Sequence, residues 1–201
     1  MKLLTSTAAL LLAGTLANAA TLSIIDISTM SAPGYTELAV DSDNLSITAD
    51  GGPGTGGSVV GNPFSYAVKS GQPSHAFGRY NVLQPTNGSW IDSNDNERLF
   101  FTVSAPGAKS INSLQVAITD AADIRPFFTV NFYAESGAFT SLAINTKRDN
   151  ANQLLLQFDF DDPAAYVDMW FESTRNDGFG ISNVRACYVN PKKQRNLSAM
   201  K

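Results

Sequence analysis

Residue types that do covalent or acid–base chemistry are scarce in this chain, and the carboxylates are the exception. There is one histidine, His75, and one cysteine, Cys187. A Ser-His-Asp system would have to use His75, and the Gly-x-Ser-x-Gly turn that exposes a nucleophilic serine is absent. Zinc centres draw on several His and Cys ligands, and this chain has one of each. No catalytic residue is assigned from the sequence.

Three acidic clusters remain. Asp92-Ser-Asn-Asp-Asn-Glu97 packs oxygen donors closely: Asp92, Asn94, Asp95, Asn96 and Glu97. A hard cation such as Ca²⁺ takes six to eight oxygen ligands from side chains and carbonyls, so this segment is the candidate calcium loop. It lacks the glycine and the distal glutamate of an EF-hand loop. Its plainer reading is a polar hairpin turn between Trp90-Ile91 and the strand that follows. Asp159, Asp161 and Asp162 form the second cluster. Residues two apart on a strand share a face, and paired carboxylates cleave glycosidic bonds when correctly spaced; Pro163 makes a solvated strand end the simpler reading. Glu172 and Asp177 bracket a turn and form the third cluster, either sharing an ion or simply solvated. Trp90, Trp170, Tyr80 and Tyr166 are the candidate platforms for sugar rings, since an aromatic side chain offers an apolar face with a polar edge.

The elements that position these residues read as strands. Polar–apolar alternation, the period of a half-buried strand, recurs over 21–28, 45–49, 64–68, 76–83, 98–104, 113–119, 128–133, 142–146, 153–160, 166–171 and 179–185. Turn-forming groups lie between them, among them 105–108, 135–137, 147–150, 161–163 and 175–178. Arg175-Asn-Asp-Gly178 is the strongest hairpin signal, because Asn, Asp and Gly tolerate positive φ. No apolar 3.6-residue repeat lasts three turns; residues 120–124 have room for one helical turn. Many short strands at regular spacing predict an all-β, two-sheet β-sandwich of jelly-roll type. Gly51-Gly-Pro-Gly-Thr-Gly-Gly57 lacks the Lys-Ser/Thr ending of a phosphate loop and reads as a surface loop.

The N-terminus has the features of an export signal: Lys2, an uncharged apolar run over 3–16, and Ala17-Asn-Ala19 as a small-x-small cleavage site. The run is shorter than the roughly 20 apolar residues of a membrane span. Residues 1–19 are therefore expected to be removed, 20–186 to form one domain, and 187–201 to be a basic tail. The formal charge is −4 over 201 residues, and loss of Lys2 takes it to about −5. An acidic chain with no basic stripe is not built for nucleic acid, and nothing predicts stable membrane insertion after cleavage. With 43% hydrophobic and 16% charged residues, the chain has the composition of a packed domain. A single cysteine allows no internal disulfide, so cohesion must come from packing, hydrogen bonds or a bound ion.

Several short motifs together carry a family resemblance. They are Phe77-Gly-Arg-Tyr80, Trp90-Ile-Asp-Ser-Asn-Asp95, Leu114-Gln-Val-Ala-Ile-Thr-Asp-Ala-Ala-Asp123 and Asn176-Asp-Gly-Phe-Gly-Ile181. With the leader, they resemble exported bacterial β-sandwich proteins of the PEP-CTERM/VPLPA-CTERM sorting-domain type, over about residues 60–184. The sequence departs from that pattern at Ser182-Asn183, where the family tends to have two acids. After Val184 there is neither an apolar helix nor a sorting motif. The resemblance implies a location in the periplasm, on the cell surface or outside the cell, in contact with extracellular polysaccharide, and it implies no reaction. The expectation is a non-enzymatic exported domain binding carbohydrate, a structural calcium ion or both. The alternatives are a carboxylate-based polysaccharide-active enzyme and a surface protein that assembles through its strand edges.

Overall fold

The computed structural model describes residues 20–26, 33–40, 42–50, 67–70, 81–83, 89–174 and 177–190. The expected leader, His75, Tyr80, the glycine-rich 51–57 segment and residues 191–201 lie outside these. Twelve strands run in chain order: β1 (Ala20–Ile24), β2 (Tyr35–Glu37), β3 (Leu45–Asp50), β4 (Ala67–Ser70), β5 (Ser89–Asp92), β6 (Arg98–Ser104), β7 (Ser110–Thr119), β8 (Phe128–Ala134), β9 (Phe139–Ile144), β10 (Gln153–Ala164), β11 (Tyr166–Ser173) and β12 (Gly180–Val189). They form two antiparallel sheets. One has seven strands in the order β1-β10-β7-β12-β5-β4, with β2 also on β12; the other has five in the order β3-β6-β11-β8-β9. The chain is an all-β, two-sheet sandwich of jelly-roll type.

Alternation explains the layers. In β6, Leu99, Phe101 and Val103 point inward, and in β11 Val167, Met169 and Phe171 do the same. They meet Leu114, Val116 and Ile118 of β7 and Leu154, Leu156 and Phe158 of β10. Phenylalanines fill the middle: Phe128 stands edge-on to Phe179 at 5.0 Å and Phe101 to Phe171 at 5.2 Å, a geometry that the ring quadrupole favours. This core replaces the disulfides that the composition rules out.

The connections differ from the sequence expectation in an instructive way. At one end of the sandwich the links β3–β4, β5–β6, β7–β8, β9–β10 and β11–β12 each pass from one sheet to the other. The Asn-Asp-Gly group and the 93–97 segment are therefore crossings between sheets, where hairpins were expected. The 93–97 segment does turn tightly at Asn94 and Asp95, but turn chemistry does not specify which sheet receives the next strand. Residues 120–124 form turns with positive φ at Asp120 and Ala122, in place of a helical turn.

Asp161, Asp162 and Pro163 lie within β10, in place of the expected turn. The β10–β7 register shifts between Asp159 and Ala164, and this bulge takes up Pro163, which has no N–H for the ladder. β12 runs on to Val189, with Cys187 opposite Ser113 and Val189 opposite Ser110; the strand therefore continues four residues past the alternation over 179–185. Short β2 and β5 went unrecognised as strands, and β9 begins at Phe139, earlier than its alternation suggested. Both the first residue of β1 and the last of β12 lie at the end opposite the five crossings, as Ala20 pairs with Phe160 and Val189 with Ser110.

Candidate functional site

Among the described residues, a cluster of aromatic side chains outside the core lies on the outer face of the five-stranded sheet. Cross-strand register places them. Trp170 on β11 lies opposite Phe100 on β6 and Asn131 on β8. In the next row Phe139 on β9 lies opposite Tyr133, Tyr133 opposite Asp168, and Asp168 opposite Thr102. Tyr166 stands further along β11, beside Ser104. All these residues are in the phase of the alternation that points away from the core. Phe139 is 54% exposed, Tyr133 41% and Tyr166 37%. The rings of Phe139 and Trp170 lean together, 6.1 Å apart with their planes at 34°. The surface crosses four strands, so it is about 14 Å wide.

Polar groups are set among the rings. Thr102 donates its hydroxyl hydrogen to Asp168 Oδ1 at 2.6 Å, which fixes that carboxylate. Asn131 flanks Trp170, and Arg98 lies opposite Glu172 at one margin. Two carboxylates against one guanidinium leave this patch with a small negative charge. Such a surface offers flat apolar faces for the C–H side of a sugar ring and fixed polar atoms for its hydroxyls.

The structure separates the sequence candidates. Trp170 and Tyr166 are on this surface. Trp90 is not: it is 2% exposed, on the other sheet, with its ring so close to Gly180 that a Cβ there would lie 3.3 Å from it. A ring so enclosed cannot stack on a ligand, so Trp90 is a packing residue. Phe100, Asn131, Tyr133, Phe139 and Asp168 were missed. Phe100 and Tyr133 carried a legible signal, as they break the alternation of β6 and β8 by putting an aromatic in the polar phase.

The 93–97 loop uses much of its polarity on itself. Asn94 N–H donates to Asp92 Oδ1 at 3.0 Å, and Asn96 Nδ2 donates to the Ser93 carbonyl. Asn94 and Asp95 have φ of 53° and 60°, the left-handed conformation that Asn and Asp tolerate best. Asp92 is 8% exposed and Asn96 fully buried. Glu97 gives its backbone carbonyl to the Ser173 amide at 2.8 Å. Among the described residues no group of three or more His, Cys, Asp or Glu side chains converges as metal ligands do.

Of the other acids, Asp159 accepts from Gln157 Nε2 at 2.9 Å, on the outer side of the seven-stranded sheet, and Asp161 and Asp162 are exposed further along β10. That side is a polar ladder: Gln115 donates to Gln157, Arg185 pairs with Glu37 at 3.2 Å, and the Tyr35 hydroxyl bonds Ser113 at 2.6 Å. Beside the ladder, Ala117 and Leu155 are covered by Ile25 and Leu83.

Glu172 and Asp177 also part company. Glu172 faces outward on β11, while Asp177 is 1% exposed. Burial raises the Asp177 carboxyl to a pKa of about 8, and the neighbouring Asp123 carboxyl adds to the rise; the amides of Arg125 and Ile124 oppose it.

No family model and no curated protein matches the chain. Some solved structures can be superposed on parts of it. One is the enzymatically active domain of tailspike protein 4 of bacteriophage CBA120, at 12% identity and a TM-score of 0.38, covering 76% of this chain and 21% of that one. A family 11 carbohydrate-binding module from Clostridium thermocellum, in complex with a β-1,3-1,4-mixed-linked tetrasaccharide, is 9% identical with a TM-score of 0.36, covering 78% and 96%. A family 11 module of a cellulosomal cellulase from the same organism is 9% identical with a TM-score of 0.37, covering 81% and 99%. At these scores nothing about this chain's function follows from the likeness.

Proposed function

We propose that this chain is a non-enzymatic, exported β-sandwich domain that binds a neutral extracellular polysaccharide on the outer face of its five-stranded sheet. The observation that carries this is the cluster of Trp170, Phe100, Tyr133 and Phe139 in the outward phase of four adjacent strands. Burying such rings gains roughly 25 cal/mol per Å² of apolar surface, yet on this face Phe139, Tyr133 and Tyr166 are each more than a third exposed. A ligand with alternating apolar faces and hydroxyl edges would cover them. Neutral glycans suit the patch better than uronate polymers, because Asp168 and Glu172 outweigh Arg98. The leader-like residues 1–19 and the resemblance to sorting-domain proteins support export to the cell envelope or beyond.

Affinity electrophoresis through gels containing neutral or acidic polysaccharides tests the reading. Retardation is expected with a neutral polymer and not with a uronate. Trp170→Ala should weaken binding about tenfold or more, as loss of a central aromatic anchor does, with little change in melting temperature. If no polymer retards the protein, or if Trp170→Ala binds as wild type does, the surface is not the site. Release of reducing ends from the bound polymer would favour the enzymatic alternative.

A further inference from the structure

Among the described residues, Asp177 is a deeply buried polar group whose environment the fold does not explain. It is 1% exposed, and neither carboxylate oxygen closes a hydrogen bond of good geometry. Its backbone is well placed: its N–H donates to the Thr174 carbonyl at 3.1 Å, in the β11–β12 crossing. The groups acting on the carboxylate come from the β7–β8 crossing, namely the Asp123 carboxyl and the amides of Ile124 and Arg125. Among the described residues no cationic side chain acts on it. Two further oxygens in the same stretch, Ser173 Oγ and Thr174 Oγ1, are also buried without partners.

An ionised carboxylate buried without a counter-charge is strongly unfavourable, and two carboxylates side by side compound the cost. The pair must share a proton or hold a cation. Every donor at hand is oxygen, which suits a hard divalent ion. The nearby amides do not compete for the same sites: each carboxylate oxygen has two lone pairs, so an N–H can orient one while an ion takes another. Asp123 is half-buried, which gives an ion a way in from solvent.

We propose that Asp177 and Asp123 bind Ca²⁺, which ties the β7–β8 and β11–β12 crossings together at one end of the sandwich. This site is distinct from the oxygen-rich 93–97 loop that the sequence singles out, and it lies away from the aromatic surface. The full chain lacking residues 1–19, stripped with EDTA, should give saturable heat on titration with CaCl₂ and a higher melting temperature in excess Ca²⁺. Asp177→Asn, nearly isosteric, should abolish the heat and the shift. Asp123→Asn should weaken binding by more than about tenfold, the low end of what even outer-shell partners cost. Asp95→Ala should bind as wild type does. The proposal is overturned if wild type shows neither heat nor shift, if Asp177→Asn binds as wild type does, or if Asp95→Ala alone abolishes binding. Should Asp177→Asn fail to fold by circular dichroism, Asp123→Asn decides, and wild-type affinity in it overturns the proposal.

Discussion

At Gly180, an added Cβ would lie 3.2 Å from Val82 Cγ2 and 3.3 Å from a ring carbon of Trp90. The indole has no room to retreat, because it is 2% exposed. Gly180→Ala should therefore destabilise the domain by about 1–3 kcal/mol, the usual cost of overpacking, read as a shift in the urea midpoint. Neutral or improved stability would mean that Val82 swings aside freely. Asp177 gives a pH prediction. Its folded pKa is about 8, well above the ordinary value near 4. Between those values the folded chain holds a proton that the unfolded chain has released. The stabilisation is thus complete below about pH 4 and is lost as pH rises through about 8. In EDTA the melting temperature should fall from pH 5 to pH 8 through this group, and Asp177→Asn should flatten that part of the profile. An identical slope in the variant would show that other groups carry it.

At the level of elements, β12 changes neighbours partway along. Its first residues pair with β5 and its later ones with β2, and the register against β7 shifts between Ser182 and Arg185. Asn183 sits in this bulge with φ of 51°, and its side-chain amide donates to the Leu83 carbonyl at 2.9 Å. Asn183→Val combines a β-branched residue in left-handed backbone with loss of that bond. It should cost about 1–3 kcal/mol, whereas Asn183→Gly keeps the backbone freedom and should lose less. Equal losses would show that the hydrogen bond matters and the conformation does not. Strands such as β6, β8 and β11 were legible because each buries one face, and alternation records burial directly. β2, with three residues, and β5, with four, are too short for a period to emerge. The site was legible in part for the same reason. Trp170 and Tyr166 were visible as aromatics, but Trp90 looked no different from them. Its burial depends on what the rest of the fold lays against its strand, such as Gly180 of β12, and no local pattern records that.

Over the whole molecule, the five crossings at one end stitch the two sheets together, so neither can separate without reordering the other. The two tryptophans happen to report on different sheets, Trp90 on β5 and Trp170 on β11. Trp90→Phe and Trp170→Phe should each unfold in one step in denaturant. The fluorescence of the remaining tryptophan should coincide with the loss of strand signal in circular dichroism, as two-state behaviour requires. Midpoints that differ between fluorescence and circular dichroism within either variant would show the sheets melting apart. Alternation, turn residues and the shortage of catalytic types anticipated the sandwich. The sheet assignment of each strand was not legible, because it depends on which inward faces match across the core.

Ala20 and Val189 leave the sandwich at the same end, on strands three places apart in one sheet and so about 14 Å from each other. Any polypeptide leading in or out departs from that single pole. A molecule held there would stand upright on its support, its crossings farthest out and its ring-bearing flank turned sideways. In that posture a fibre lying alongside could be gripped without the attachment getting in the way.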